Sequence, residues 1–169
     1  GLQRTAKDID AELREAGFNV TTASPEEFVT LKPTLMNQLF GHLNRWKVGS
    51  NTAREYLEQE EYNLLIGHNG SGWGIDSIRR LNIWQNESSE YANYTWPKWH
   101  PNYYKLSYFD TFCERAAGRH ATNYAVSERM AQNLRDNAHM DVEGVVENGV
   151  DTDHFKPLPE EELDAFRDR

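Results

Sequence analysis

Short apolar runs alternate with amphipathic helical patterns along this chain, and that alternation leaves few folds open. Asn63-Leu64-Leu65-Ile66-Gly67-His68 is a continuous apolar run bounded by turn signals. Such a run reads as a strand buried on both faces of a parallel sheet. Ala121–Val126 and Val142–Val146 read the same way, and Asn82–Gln85 is a shorter strand. A parallel pair of strands needs a crossover between them, usually a helix. The pattern therefore predicts an α/β, Rossmann-like, mostly parallel sheet with helices on both faces.

The helices follow from spacing and caps. Leu2, Ala6, Ile9 and Leu13 recur at helical intervals, which predicts a helix over about 3–16, stopped by Gly17. Phe18–Thr22 alternates as a strand, and a strand is expected before residue 1 as well. Ser24-Pro25-Glu26-Glu27 has the form of a capping box opening a short helix. Residues 34–48, with Gly41 inside, and 50–60 read as two further helical stretches, and 75–81 as a short helix. A long aromatic loop is expected over 87–105. A helix over 107–118 is expected to gather Phe109, Phe112, Cys113 and Ala116 on one face. Ser127 caps a helix from Glu128 that buries Met130, Ala131 and Leu134.

Composition narrows the function. The chain has 169 residues, enough for one domain, and a net charge of −9 from 27 acidic and 18 basic residues. That balance argues against nucleic acid or an anionic membrane as the main partner, though a local basic patch is compatible with it. No apolar run is long enough to span a membrane. A single cysteine, Cys113, provides no intrachain disulfide framework and no Cys-based zinc site, and the histidines show no metal-type pairing.

In open parallel sheets, ligands bind outside the C-terminal strand ends. The loops to inspect are those before residue 2 and after Ile66, Trp84, Val126 and Val146. Gly1 opens a helix and could let an anion such as a diphosphate approach the helix N-terminus, or it is a tag remnant. Gly67-His68-Asn69-Gly70-Ser71-Gly72-Trp73-Gly74 is a Gly-rich loop after a buried strand. Its plainer reading is a flexible turn with a Trp packed on the sheet edge. Tyr91–Tyr104 is dense in aromatic rings, which stack on sugars but serve equally in a protein interface or a lid.

The last strand runs into Glu147-Asn148-Gly149-Val150-Asp151-Thr152-Asp153-His154-Phe155-Lys156-Pro157. Asn148-Gly149 is a tight turn and Pro157 stops regular structure. This string resembles the end of the N-terminal domain of family 4 glycosyltransferases, two-domain enzymes of the GT-B architecture. The Gly-rich loop, and the strand ending Val126-Ser127 before a helix, add to the resemblance. It implies an acceptor-side domain over 1–157 and a linker or interdomain helix over 158–169. It further implies a retaining transfer of sugar from a nucleotide sugar to a glycan or lipid-linked acceptor, with no cofactor and typically no metal. The donor site would lie on a C-terminal domain that this sequence does not contain, so the fragment is expected to be inactive alone. The expected place is the cytoplasm, or the periphery of a membrane. His68, Ser71, Trp73, Asn86 and Tyr91 are the acceptor candidates, and Gly1 the donor-diphosphate candidate. Many members carry a histidine after the second of these strands; here Glu87 is the catalytic candidate in its place, with a solvated loop residue as its alternative. A binding module without catalysis, or another GT-B enzyme such as a nucleotide-sugar epimerase, shares the same fold.

Overall fold

The computed structural model describes residues 2–23 and 35–149, with side chains over 6–23 and 46–149. Gly1, the Ser24–Glu27 capping box and everything from Val150 onward, including the 158–169 linker, lie outside the described residues. The helices are α1 (Leu2–Glu15), α2 (Leu35–Gln59), α3 (Ser88–Thr95), α4 (Pro101–Tyr104), α5 (Thr111–Gly118) and α6 (Glu128–Asp136). A π-helical segment, Lys105–Asp110, joins α4 to α5. The strands are β1 (Leu64–His68), β2 (Arg79–Trp84), β3 (Thr122–Ala125) and β4 (Gly144–Val145). They form one parallel sheet in the order β1-β2-β3-β4, the α/β, Rossmann-like arrangement that the alternation predicts.

The core lies on one face of this sheet. Trp84 and Ala125 stand opposite each other in the β2–β3 register and are fully buried. Against them pack Cys113 and Ala117 of α5, Met130, Ala131 and Leu134 of α6, and Trp46 of α2. Burying large side chains here supplies the main favourable term, about 1.5–3 kcal/mol each. The alternate positions Ile66, Leu81 and Tyr124 point to the other face and are half-buried, while Ile83 is buried.

A polar hub ties the core together. The Trp84 indole donates to Asn123 Oδ1 at 2.9 Å. Asn123 Nδ2 in turn donates to the carbonyls of Gly118, Ala121 and Asp141 at 3.0–3.1 Å. One side chain thus satisfies the end of α5 and the loop before β4, groups that would be costly to bury unpaired.

Several local expectations change. Phe18–Thr22 forms no strand; Phe18 is 63% exposed, so the alternating pattern has no sheet partner to bury against. The two stretches expected over 34–48 and 50–60 are replaced by one continuous helix, α2 (Leu35–Gln59), because Gly41 lowers helix propensity without breaking it. The short helix expected over 75–81 is the approach to and start of β2, whose pairing with β1 outweighs local preference. The aromatic loop over 87–105 is largely helical, because Glu87 and His100 cap α3 and α4 and Pro101 sits in the first turn of α4.

The β1–β2 crossover is a coil rather than a helix. Successive turns from His68 to Ile75 use positive φ at Asn69, Gly70, Gly72 and Gly74, and carry the chain back over β1. The return strip lies so close that a Cβ on Gly67 would stand 2.1 Å from the Ser71 carbonyl oxygen. Backbone cannot yield that space cheaply. Gly67→Ala should therefore lower stability by about 2–3 kcal/mol in denaturant unfolding; a loss below about 0.5 kcal/mol would show that the strip is not held against β1.

Candidate functional site

The C-terminal strand ends lie in a row, because the strands run in sequence order. Each segment leaving a strand bonds to the next strand or the one before. Asn69 N–H donates to Ile83 O at 3.1 Å, Val126 N–H to Trp84 O at 3.1 Å, and Val146 N–H to Ala125 O at 2.8 Å. Asn69 adds a second link, since its Oδ1 accepts from Gln85 N–H at 2.7 Å. That bond clips the loop after β1 to the loop after β2. A short amide suits the role, because Asn tolerates the positive φ of 48° found here.

The clip brings the segments carrying His68 and Asn86 to the same end of the sheet. Asn86 is exposed. His68 is half-buried, with Nδ1 buried and unpartnered. Burial pushes the His68 imidazole below its ordinary range, so it is neutral at pH 7 and offers one donor and one acceptor. Ser71 and Trp73 do not stay at this end. They ride the return strip, Ser71 against Gly49 of α2 and Trp73 edge-on to Trp46 at 5.8 Å. Trp73 is still 36% exposed. Tyr91 is exposed on α3.

Glu87 is not a solvated loop residue. It is 1% exposed and caps α3. Its carboxylate accepts from Ser89 N–H at 2.9 Å, Ser89 Oγ at 2.9 Å and Glu90 N–H at 2.7 Å. Thr111 Oγ1 at 3.3 Å and Asn137 Nδ2 at 3.4 Å complete the shell. Ser88 N–H goes to a second carboxylate, Glu114, which also takes Ser88 Oγ at 2.7 Å. The free N–H groups of a helix start are where Rossmann folds receive phosphate. On α3 the protein's own carboxylates take those of Ser88, Ser89 and Glu90.

No protein-family model matches the chain, and no curated protein or solved structure is significantly similar to it. The site is therefore read from its own chemistry. Asp110 is buried beside Glu114, on the next turn of the helix, and ion-pairs with Lys105 at 2.6 Å. Cys113, between them, is held up to about 11, chiefly by burial and then by the neighbouring carboxylates, so it is no thiolate nucleophile at pH 7. Among the described residues no group of His, Cys, Asp and Glu has the arrangement of a metal site. A cavity of about 550 Å³ opens at the opposite end of the sheet, among Asp76, Arg79, Arg80, Arg119 and His120.

Sequence reasoning misses Asn69 as a clip and Glu114 as a partner of α3. The Asn69-Gly70 dipeptide signals the turn, but not which backbone its side chain would meet. Glu114 stands out only as a charge one residue from the apolar positions of its helix.

Burial is the main cause that pushes the Glu114 carboxyl up to about 8, with Glu87 and Asp110 adding to it. In an unfolded chain the group titrates near 4.3. Between those limits the folded state binds more protons, so this contribution to stability is full at low pH and is lost as pH rises toward 8. Glu114→Gln keeps the neutral shape without the titration. Melting curves from pH 5 to pH 9 should show the native chain losing at least about 1 kcal/mol more than the variant; parallel curves would mean Glu114 is ionised throughout.

Proposed function

We propose that the chain is the acceptor-side domain of a retaining glycosyltransferase that moves a sugar from a nucleotide sugar to an acceptor hydroxyl. The observation that carries this reading is the Glu147-Asn148-Gly149-Val150-Asp151 string standing directly after the last strand of a parallel sheet. It supports an exit from this domain toward a second, donor-binding one.

Within that reading, the acceptor lies over the clipped ends of β1 and β2. His68, neutral, and Asn86 offer hydrogen bonds to sugar hydroxyls, and the exposed Tyr91 offers a ring for stacking. Glu87 acts as a positioning residue. Its cap sets where α3 begins, and so places Asn86 before it and Tyr91 after it. To touch substrate itself it would have to give up its shell of donors from Ser89, Glu90, Thr111 and Asn137. Donor binding, stabilisation of the departing diphosphate and closure against water fall to the second domain.

Two measurements test this. The 169 residues alone should show neither transfer nor hydrolysis of nucleotide sugars, and turnover by this chain would overturn the division of labour. In the two-domain enzyme, Tyr91→Ala should raise the acceptor KM about 2–10-fold with little change in kcat. An unchanged KM would remove Tyr91 from the acceptor site, and a full-length chain that binds glycans without turnover would favour a binding module.

A further inference from the structure

The 27 acidic residues of this chain are unevenly spread. From Tyr91 to Phe109 there is no Asp or Glu, and the stretch holds eight aromatic residues with Lys98 and Lys105. Its surface is equally unusual. Trp99 is 79% exposed, Tyr104 53% and Tyr108 68%, and Phe112 just beyond is 67% exposed. Tyr104 and Tyr108 stack in parallel at 6.2 Å, and Phe112 follows them along the same continuous helix. The adjoining carboxylates are turned away: Asp110 and Glu114 are buried. Glu90, before the stretch, is paired with Arg129 at 2.5 Å. Monomeric soluble proteins rarely display so many large rings together without using them.

From these observations we infer that the aromatic surface of α4, the π-helical segment and the start of α5 docks onto the headgroup layer of a phospholipid bilayer. The rings suit that layer. Tyr and Trp join an apolar body to a polar tip, and are enriched where one end is dry and the other wet. The charge suits it too. Lys98 and Arg115 are exposed beside the rings, with no exposed carboxylate within the stretch to oppose lipid phosphates. The shape argues against a soluble glycan as occupant. Ligand sites of small molecules are concave, whereas these rings stand out from the surface, with Trp99 79%, Tyr108 68% and Phe112 67% exposed. The stretch carries none of the acidic residues that give the chain its net charge of −9, so it is a face on which an anionic bilayer meets no repelling carboxylate of the stretch itself. No helix among the described residues could cross the bilayer, so the contact is interfacial. The inference does not rest on the transferase reading.

Vesicle flotation tests it with neither donor nor acceptor present. The 169-residue chain should float with vesicles of phosphatidylcholine mixed with phosphatidylglycerol. A Trp99→Ser, Tyr108→Ser, Phe112→Ser triple variant should lose about tenfold or more of that partition. These positions are exposed, so its circular dichroism and melting should match the native chain. Lys98→Glu should weaken flotation by a few-fold on the mixed vesicles and leave phosphatidylcholine vesicles unaffected. The inference is overturned if the native chain floats with neither vesicle, or if the triple variant floats as well as the native chain. It is also overturned if the native chain is a dimer that ignores vesicles and the triple variant is a monomer, which would make a second copy the occupant.

Discussion

The hydrogen bond from the Trp84 indole to Asn123 is the contact on which the rest of the fold is registered. It joins the two central strands from inside the core, at a point where neither side chain sees solvent. A buried indole N–H without a partner would cost a few kcal/mol, and so would the three carbonyls that Asn123 satisfies in turn. Because those carbonyls belong to the end of α5, the turn into β3 and the approach to β4, one amide fixes the lateral position of three connections. Hydrophobic burial would hold these elements together in many arrangements. The amide selects one of them.

A similar economy governs the N-terminus of α3. Glu87 and Glu114 come from different elements, yet together they take the N–H groups of Ser88, Ser89 and Glu90. Burial disfavours a charge on Glu114, the nearby Glu87 and Asp110 add to it, and Glu114 answers by holding its proton. The helix start is thereby closed to outside anions. What stays open at this end of the sheet is the strip between His68 and Asn86, held by the Asn69–Gln85 clip.

Periodicity made the parallel sheet legible, because continuous apolar runs such as Leu64–Gly67 and alternation with helices admit little else. Ser127 was legible as a cap for the same local reason. The failures share a cause. Phe18–Thr22 has strand propensity but no neighbour to pair with, which no local pattern reveals. Residues 75–81 have weak preferences that pairing with β1 decides. At the site, residue types pointed to His68 and Asn86 correctly as strand-end positions. They could not show that Glu87 would be buried, because the groups that close its shell beyond the local cap, Thr111 and Asn137, lie 24 and 50 residues away.

The helix over 107–118 was expected to bury Phe109 and Phe112, yet Phe112 is exposed and Cys113, Glu114 and Ala117 face inward. The π-helical segment sets the phase of this helix relative to α4. Its wider turn inserts about one residue's worth of rotation, roughly 100°, into an otherwise α-helical phase. Lys105 and Asp110, five apart, meet across that turn, and the Thr111 N–H returns to the Leu106 carbonyl. The identity of the outer surface is therefore stored in a phase angle as much as in side chains. Substitutions would edit this surface one ring at a time. Deleting a single residue between Lys105 and Asp110 would rotate everything upstream of it as a block by about 100°, moving the outward stripe to the helix's side.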